Sequence, residues 1–191
     1  MAEDTIVERP CWLSANFVLK GLAFSPDEQQ CLMINSRGES MFKSIATGHE
    51  TNRNLNFTAV TGAAFSGDGR RFAAVNGNGV CKIWETATLR EVATVRGFLL
   101  GAHSAAFSTD GRRLVVGGAG KEAVKLWDVE SQQELLTLEG LEGEVSRFGF
   151  APSFSPDGNV LGALSTRGVL HLWRAPSWAE IDAAEKAKAE K

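Results

Sequence analysis

Three histidines, His49, His103 and His171, and three cysteines, Cys11, Cys31 and Cys81, are the side chains of this chain best suited to metal or nucleophilic chemistry. Their spacing does not gather them. No two stand two to four residues apart, the interval at which cysteines and histidines pair on zinc. His171 alternates with Leu170 and Leu172 beside Trp173, the pattern of a strand whose histidine lies in a core or on a sheet face. His103 precedes a stretch where it could line a channel, yet no Ser or Cys nucleophile paired with a carboxylate recurs near it. Cys31 and Cys81 sit within apolar, strand-like runs and read as structural thiols. The glycines from Gly117 to Gly120 fall between two strand patterns, whereas a phosphate cradle precedes a helix. The sequence therefore predicts no catalytic group, no cofactor and no metal site.

What the sequence does carry is repetition. Ala106-Phe107-Ser108-Thr109-Asp110-Gly111 is followed by Val124-Lys125-Leu126-Trp127-Asp128. The same two signals return as Ala64-Phe65-Ser66-Gly67-Asp68-Gly69 with Cys81-Lys82-Ile83-Trp84-Glu85. They return again as Ser153-Phe154-Ser155-Pro156-Asp157-Gly158 with Leu170-His171-Leu172-Trp173-Arg174. A faded copy reads Ala23-Phe24-Ser25-Pro26-Asp27-Glu28, and its expected Trp is Lys43. The Phe landmarks at 24, 65, 107 and 154 step by 41, 42 and 47 residues. A period near 40 to 45 with several short strands per unit marks a β-propeller.

These residues resemble the WD-repeat family over nearly all of positions 15–174, with Trp127-Asp128 as the literal Trp-Asp pair. The resemblance implies an all-β fold of about four blades, each a four-stranded antiparallel sheet, forming a partial, open propeller. It implies repeats at about 15–56, 57–97, 98–140 and 141–174, after an N-terminal edge strand or lead-in over 1–14. It also implies a rigid platform on which other proteins assemble. Gly48-His49 is not the family's Gly-His dipeptide, because register puts it in the turn after a third strand. The true slots hold Asn56-Phe57, Gly97-Phe98 and Gly140-Leu141, and the Asp expected before each Trp is Arg37, Asn78, Lys121 or Arg167. The family's internal polar network is thus missing, and apolar contact must carry the packing.

The chain in order supplies the elements. Phe17 to Phe24 reads as an inner strand buried on both faces. Each Ser-x-Asp turn suits the chain reversal that follows its Phe. Asn76-Gly77-Asn78-Gly79 is a tight hairpin turn. Gly117 to Glu122 reads as a longer loop, and about five extra residues around Gly149 to Ser153 as a loop or bulge. Pro176-Ser177-Trp178-Ala179-Glu180 opens a C-terminal helix over 175–191. That helix takes the place of a last outer strand, which the N-terminal strand or a second copy of the chain could fill.

At 191 residues and net charge −3, the chain has no basic footprint for nucleic acid. Its N-terminus lacks the basic start and apolar run of a secretion signal, and no window is long enough for a membrane span. A cytoplasmic location and protein partners are expected, self-association among them. The residues expected to contact partners are Arg37, Asn78, Phe98, Leu99, Leu100, Lys121 and Arg167. The ending around Trp173 to Trp178 looks like that of bacterial members. The alternative is therefore a C-terminal regulatory or accessory module of a larger enzyme, such as a bacterial protein kinase. Register makes Trp127 a packing residue and Lys43 its weakened counterpart. Trp127→Ala should cost about 3 to 5 kcal/mol and lower the urea midpoint well below that of Lys43→Ala. Equal midpoints would contradict the register.

Overall fold

The computed structural model describes residues 18–119, 124–139, 151–165 and 168–174, and every regular element among them is a strand. The lead-in over 1–14 and the helix over 175–191 lie outside the described residues. The first sheet runs β1 (Leu19–Phe24), β2 (Gln30–Asn35), β3 (Glu39–Ser44), β4 (Glu50–Asn54) in sequence order. The second is β5 (Val60–Phe65), β6 (Arg71–Asn76), β7 (Val80–Glu85), β8 (Glu91–Arg96). The third is β9 (Ala102–Phe107), β10 (Arg113–Gly118), β11 (Val124–Asp128), β12 (Glu134–Leu138). The fourth has three strands, β13 (Ala151–Phe154), β14 (Val160–Leu164) and β15 (Leu170–Arg174). All pairings are antiparallel meanders.

One turn is built four times. Ser66 Oγ donates to Asp68 Oδ1 at 2.7 Å and accepts the Arg71 N–H at 3.0 Å, while Asp68 accepts the Arg70 N–H at 3.0 Å. Ser108 and Asp110 repeat this arrangement with Arg113 and Arg112. Ser25 with Asp27 and Ser155 with Asp157 repeat it again. The hydroxyl closes the first hairpin of each sheet and satisfies backbone donors that the ladder cannot reach.

Strand alternation then gives each sheet two unlike faces. In the second sheet the register Phe65↔Phe72↔Trp84 puts three aromatics on one face. Ala73, Val75, Cys81, Ile83, Ala93 and Val95 form the other. The aromatic face leans on the first sheet's Leu32 and Ile34, and Phe42 meets the Phe72 ring edge-on at 5.5 Å. Phe72 in turn stacks on Trp84 at 5.2 Å. The aliphatic face receives Phe107, Leu114 and Trp127 of the third sheet. The third sheet's Val115, Val124 and Leu126 receive Phe154, Leu161 and Trp173 of the fourth. Neighbouring inner strands β1, β5, β9 and β13 touch in that order, and no contact of comparable extent joins β13 to β1. Among the described residues the arc is open.

Three expectations change. β1 is mostly exposed rather than buried on both sides, because the described residues place no sheet in front of it. Gly117 and Gly118 belong to β10, since Gly118 gives the Phe98 ring its seat: a Cβ there would sit 2.0 Å from the ring. Ala151 to Ser153 form ladder pairs in β13 instead of a loop.

The Ser hydroxyl, more than any other contact, holds the Asp68 and Asp110 carboxyls below the usual range. A depressed folded pKa stabilises the protein above the ordinary carboxylate range, near pH 4. That contribution disappears as pH falls through the folded value. Ser66→Ala should therefore move the Asp68 titration upward, read by NMR, and begin acid unfolding at higher pH. An unmoved Asp68 titration would contradict the turn assignment.

Candidate protein-interaction surface

The β2–β3 and β6–β7 turns and the loops entering β5 and β9 share one end of the arc. Backbone bonds tie them together: Ala59 N–H to Ser36 O at 2.6 Å and Gly77 N–H to Ala59 O at 2.9 Å. Within each turn a buried asparagine does the organising. Asn76 Oδ1 accepts the Asn78 and Val80 N–H groups at 3.1 and 3.0 Å, and its Nδ2 donates to Thr58 O at 3.1 Å. Asn35 accepts the Arg37 and Glu39 N–H groups in the same way. These asparagines leave Arg37 and Asn78 exposed at the turn tips.

The loop from Phe98 to Gly101 splits its apolar residues between core and solvent. Phe98 is buried in the core between the second and third sheets, with Lys125 Nζ 5.8 Å above its ring. Leu99 and Leu100 point out, 90% and 60% exposed. The loop is pinned where Gly79 adopts φ +76° beneath it. Of the residues expected to touch partners, Arg37, Asn78, Leu99 and Leu100 share this end, and Phe98 supports it from inside. Lys121 and Arg167 lie outside the described residues.

The histidine slots hold a different device from a polar network. Phe57 packs edge-on against Trp84 at 5.6 Å, with Lys82 Nζ 5.8 Å from its ring centre and 2.6 Å from Glu91. Phe98, Lys125 and Glu134 repeat it, the ion pair spanning 3.0 Å. The Thr137 hydroxyl first, and then Lys125, hold the Glu134 carboxyl below its usual range against the cost of burial. In the first sheet Lys43 occupies the Trp position and meets Glu50 at 2.9 Å. Apolar contact therefore shares the packing with a cation held between ring and carboxylate. The signal was present in the spacing: Glu50, Glu91 and Glu134 each stand seven residues after Lys43, Trp84 and Trp127.

The histidines stay apart. His49 is exposed in the β3–β4 turn, His103 lies on β9 and His171 stacks beside Trp173 at 5.7 Å. Burial lowers the His103 pKa and pushes the Cys81 thiol well above its ordinary range, which makes it a poor nucleophile. Among the described residues, no three His, Cys, Asp or Glu side chains converge as metal ligands, and no helix is long and apolar enough to cross a membrane. At the opposite end, grooves of about 610 and 460 Å³ run between sheets beside the Ser-x-Asp turns. Their aspartates already accept hydrogen bonds from the turns.

Residues 42–85 match the family model of the WD domain, G-beta repeat. That stretch is a WD repeat. The matched stretch begins at Phe42 in β3, crosses β4, and ends with the Trp84-Glu85 close of β7. The matched repeat is thus one strand out of phase with the sheets, taking β4 from the first and β5 to β7 from the second. That phase places the loop before β5 inside the matched repeat, where Phe57 anchors it, and Phe98 anchors the equivalent loop before β9.

Gly79→Ala tests the anchoring. A Cβ at Gly79 would lie 1.9 Å from Phe98 O, whereas Gly168, at a similar φ of +78°, has nothing within 4 Å. Gly168→Ala should cost about 1 to 2 kcal/mol from backbone strain alone. Gly79→Ala should exceed it by about 2 kcal/mol or more in urea unfolding. Equal costs would mean the loop is not docked on the turn.

Proposed function

We propose that this WD-repeat chain is a non-catalytic platform for protein–protein contacts. Its contact surface is the end carrying Arg37, Asn78, Leu99 and Leu100, with Lys121 and Arg167 in the same set. The observation that carries this reading is the paired exposure of Leu99 and Leu100 on a loop held rigid by buried Phe98. An apolar tip kept in water at a fixed position favours a partner that covers it, because ordering it on binding costs little entropy. Arg37 and Asn78 supply the polar edge of such an interface. The family match supports the same role, and self-association at the ends of the arc belongs with it. The thiol of Cys81, buried against the core without a disulfide, is compatible with the reducing cytoplasm we propose as its location.

Leu99→Ser with Leu100→Ser should leave unfolding within about 0.5 kcal/mol of the parent, as expected for exposed sites. It should also remove the partners that crosslink to this end. Retention of every captured partner would refute the surface.

A further inference from the structure

Every internal junction of the arc is made the same way: the aliphatic face of one sheet receives the aromatic face of the next. The two ends are the unmatched halves of that junction. On the last sheet Leu164, Leu170 and Leu172 hold the places of Val75, Cys81 and Ile83, the fully packed receiving residues of the second sheet. Here they are 52%, 59% and 64% exposed. On the first sheet Leu22 and Phe24 hold the places of Ala63 and Phe65, at 49% and 61% exposure. Phe65, Phe107 and Phe154 are all half-buried against a preceding sheet.

We propose that a second copy of the chain covers both ends, its first sheet seated on Leu164, Leu170 and Leu172 and its last sheet receiving Leu22 and Phe24. The occupant follows from continuity with an interface the molecule already uses three times: one chain carries both halves, and both stay exposed within it. A head-to-tail contact closes a ring if its rotation allows and otherwise grows a filament. Two arcs joined by two such contacts make an eight-sheet ring with twofold symmetry, and no apolar face is left over. This deepens the self-pairing named above and is separable from the Leu99–Leu100 surface, whose double variant leaves the mass unchanged.

Sedimentation equilibrium of the full chain at micromolar concentration tests it. The expected species is twice 20.5 kDa, or 41 kDa. Leu170→Lys with Leu172→Lys, and separately Phe24→Glu, should each fold with parent circular dichroism and sediment as a monomer. An equimolar mixture of the two should recover 41 kDa, because it places Lys against Glu at one junction and keeps the parent residues at the other. Three results would overturn the proposal. A monomeric parent would mean that terminal segments, or further blades of a longer chain, occupy these faces. A dimer untouched by both variants would put the contact elsewhere. A species growing past the dimer with concentration would mean a filament.

Discussion

The structure depends on one contact, an aromatic row from each sheet after the first pressed into the aliphatic face of the sheet before it. Burying a Phe, Leu or Val side chain completely is worth about 1.5 to 3 kcal/mol. No single sheet can collect that on both sides from its own residues. The alternation of a strand forces two faces on every sheet, so stability is passed from neighbour to neighbour, as in other repeat architectures. This is why Phe72 and Ile83, one residue apart across a pairing of β6 with β7, serve different junctions while both are fully buried.

The same constraint explains where the repeat decays. Lys43, Cys31 and Phe24 occupy the aromatic row of the first sheet, and no earlier sheet stands before them among the described residues. A lysine is tolerable in a tryptophan position there because Glu50 neutralises it across the strand pair. In the second and third sheets the cation moves two residues earlier, to Lys82 and Lys125, so Trp84 and Trp127 stay in the junction. The glutamate keeps its place throughout. What remains is a stack that fixes its turns through Asn35, Asn76, Phe57 and Phe98 and holds exposed side chains at set distances.

Much of this was legible in the residues. The Phe-Ser-x-Asp turns and the Trp positions gave strand order and register, because each depends on local chemistry repeated at a fixed interval. The Lys–Phe–Glu device was not read, since its members come from three segments and only register brings them together. The exposure of β1 was not legible either. An apolar strand looks the same in sequence whether or not a neighbour covers it, and Leu22 and Phe24 carry no mark of lying at an end. Phe98 and Leu99 are adjacent and equally apolar, yet only the hollow left by Gly118 decides which one turns inward.

The most direct measurement is a double-mutant cycle across the first junction, with Phe42→Ala and Phe72→Ala made singly and together and unfolding followed in urea. Phe42 belongs to the receiving face of one sheet and Phe72 to the aromatic row of the next, with ring centres 5.5 Å apart. If sheets are stabilised by leaning on one another, the pair should couple by about 0.5 to 1.5 kcal/mol. Strictly additive losses, with no coupling, would show that the sheets stand independently and would contradict the account.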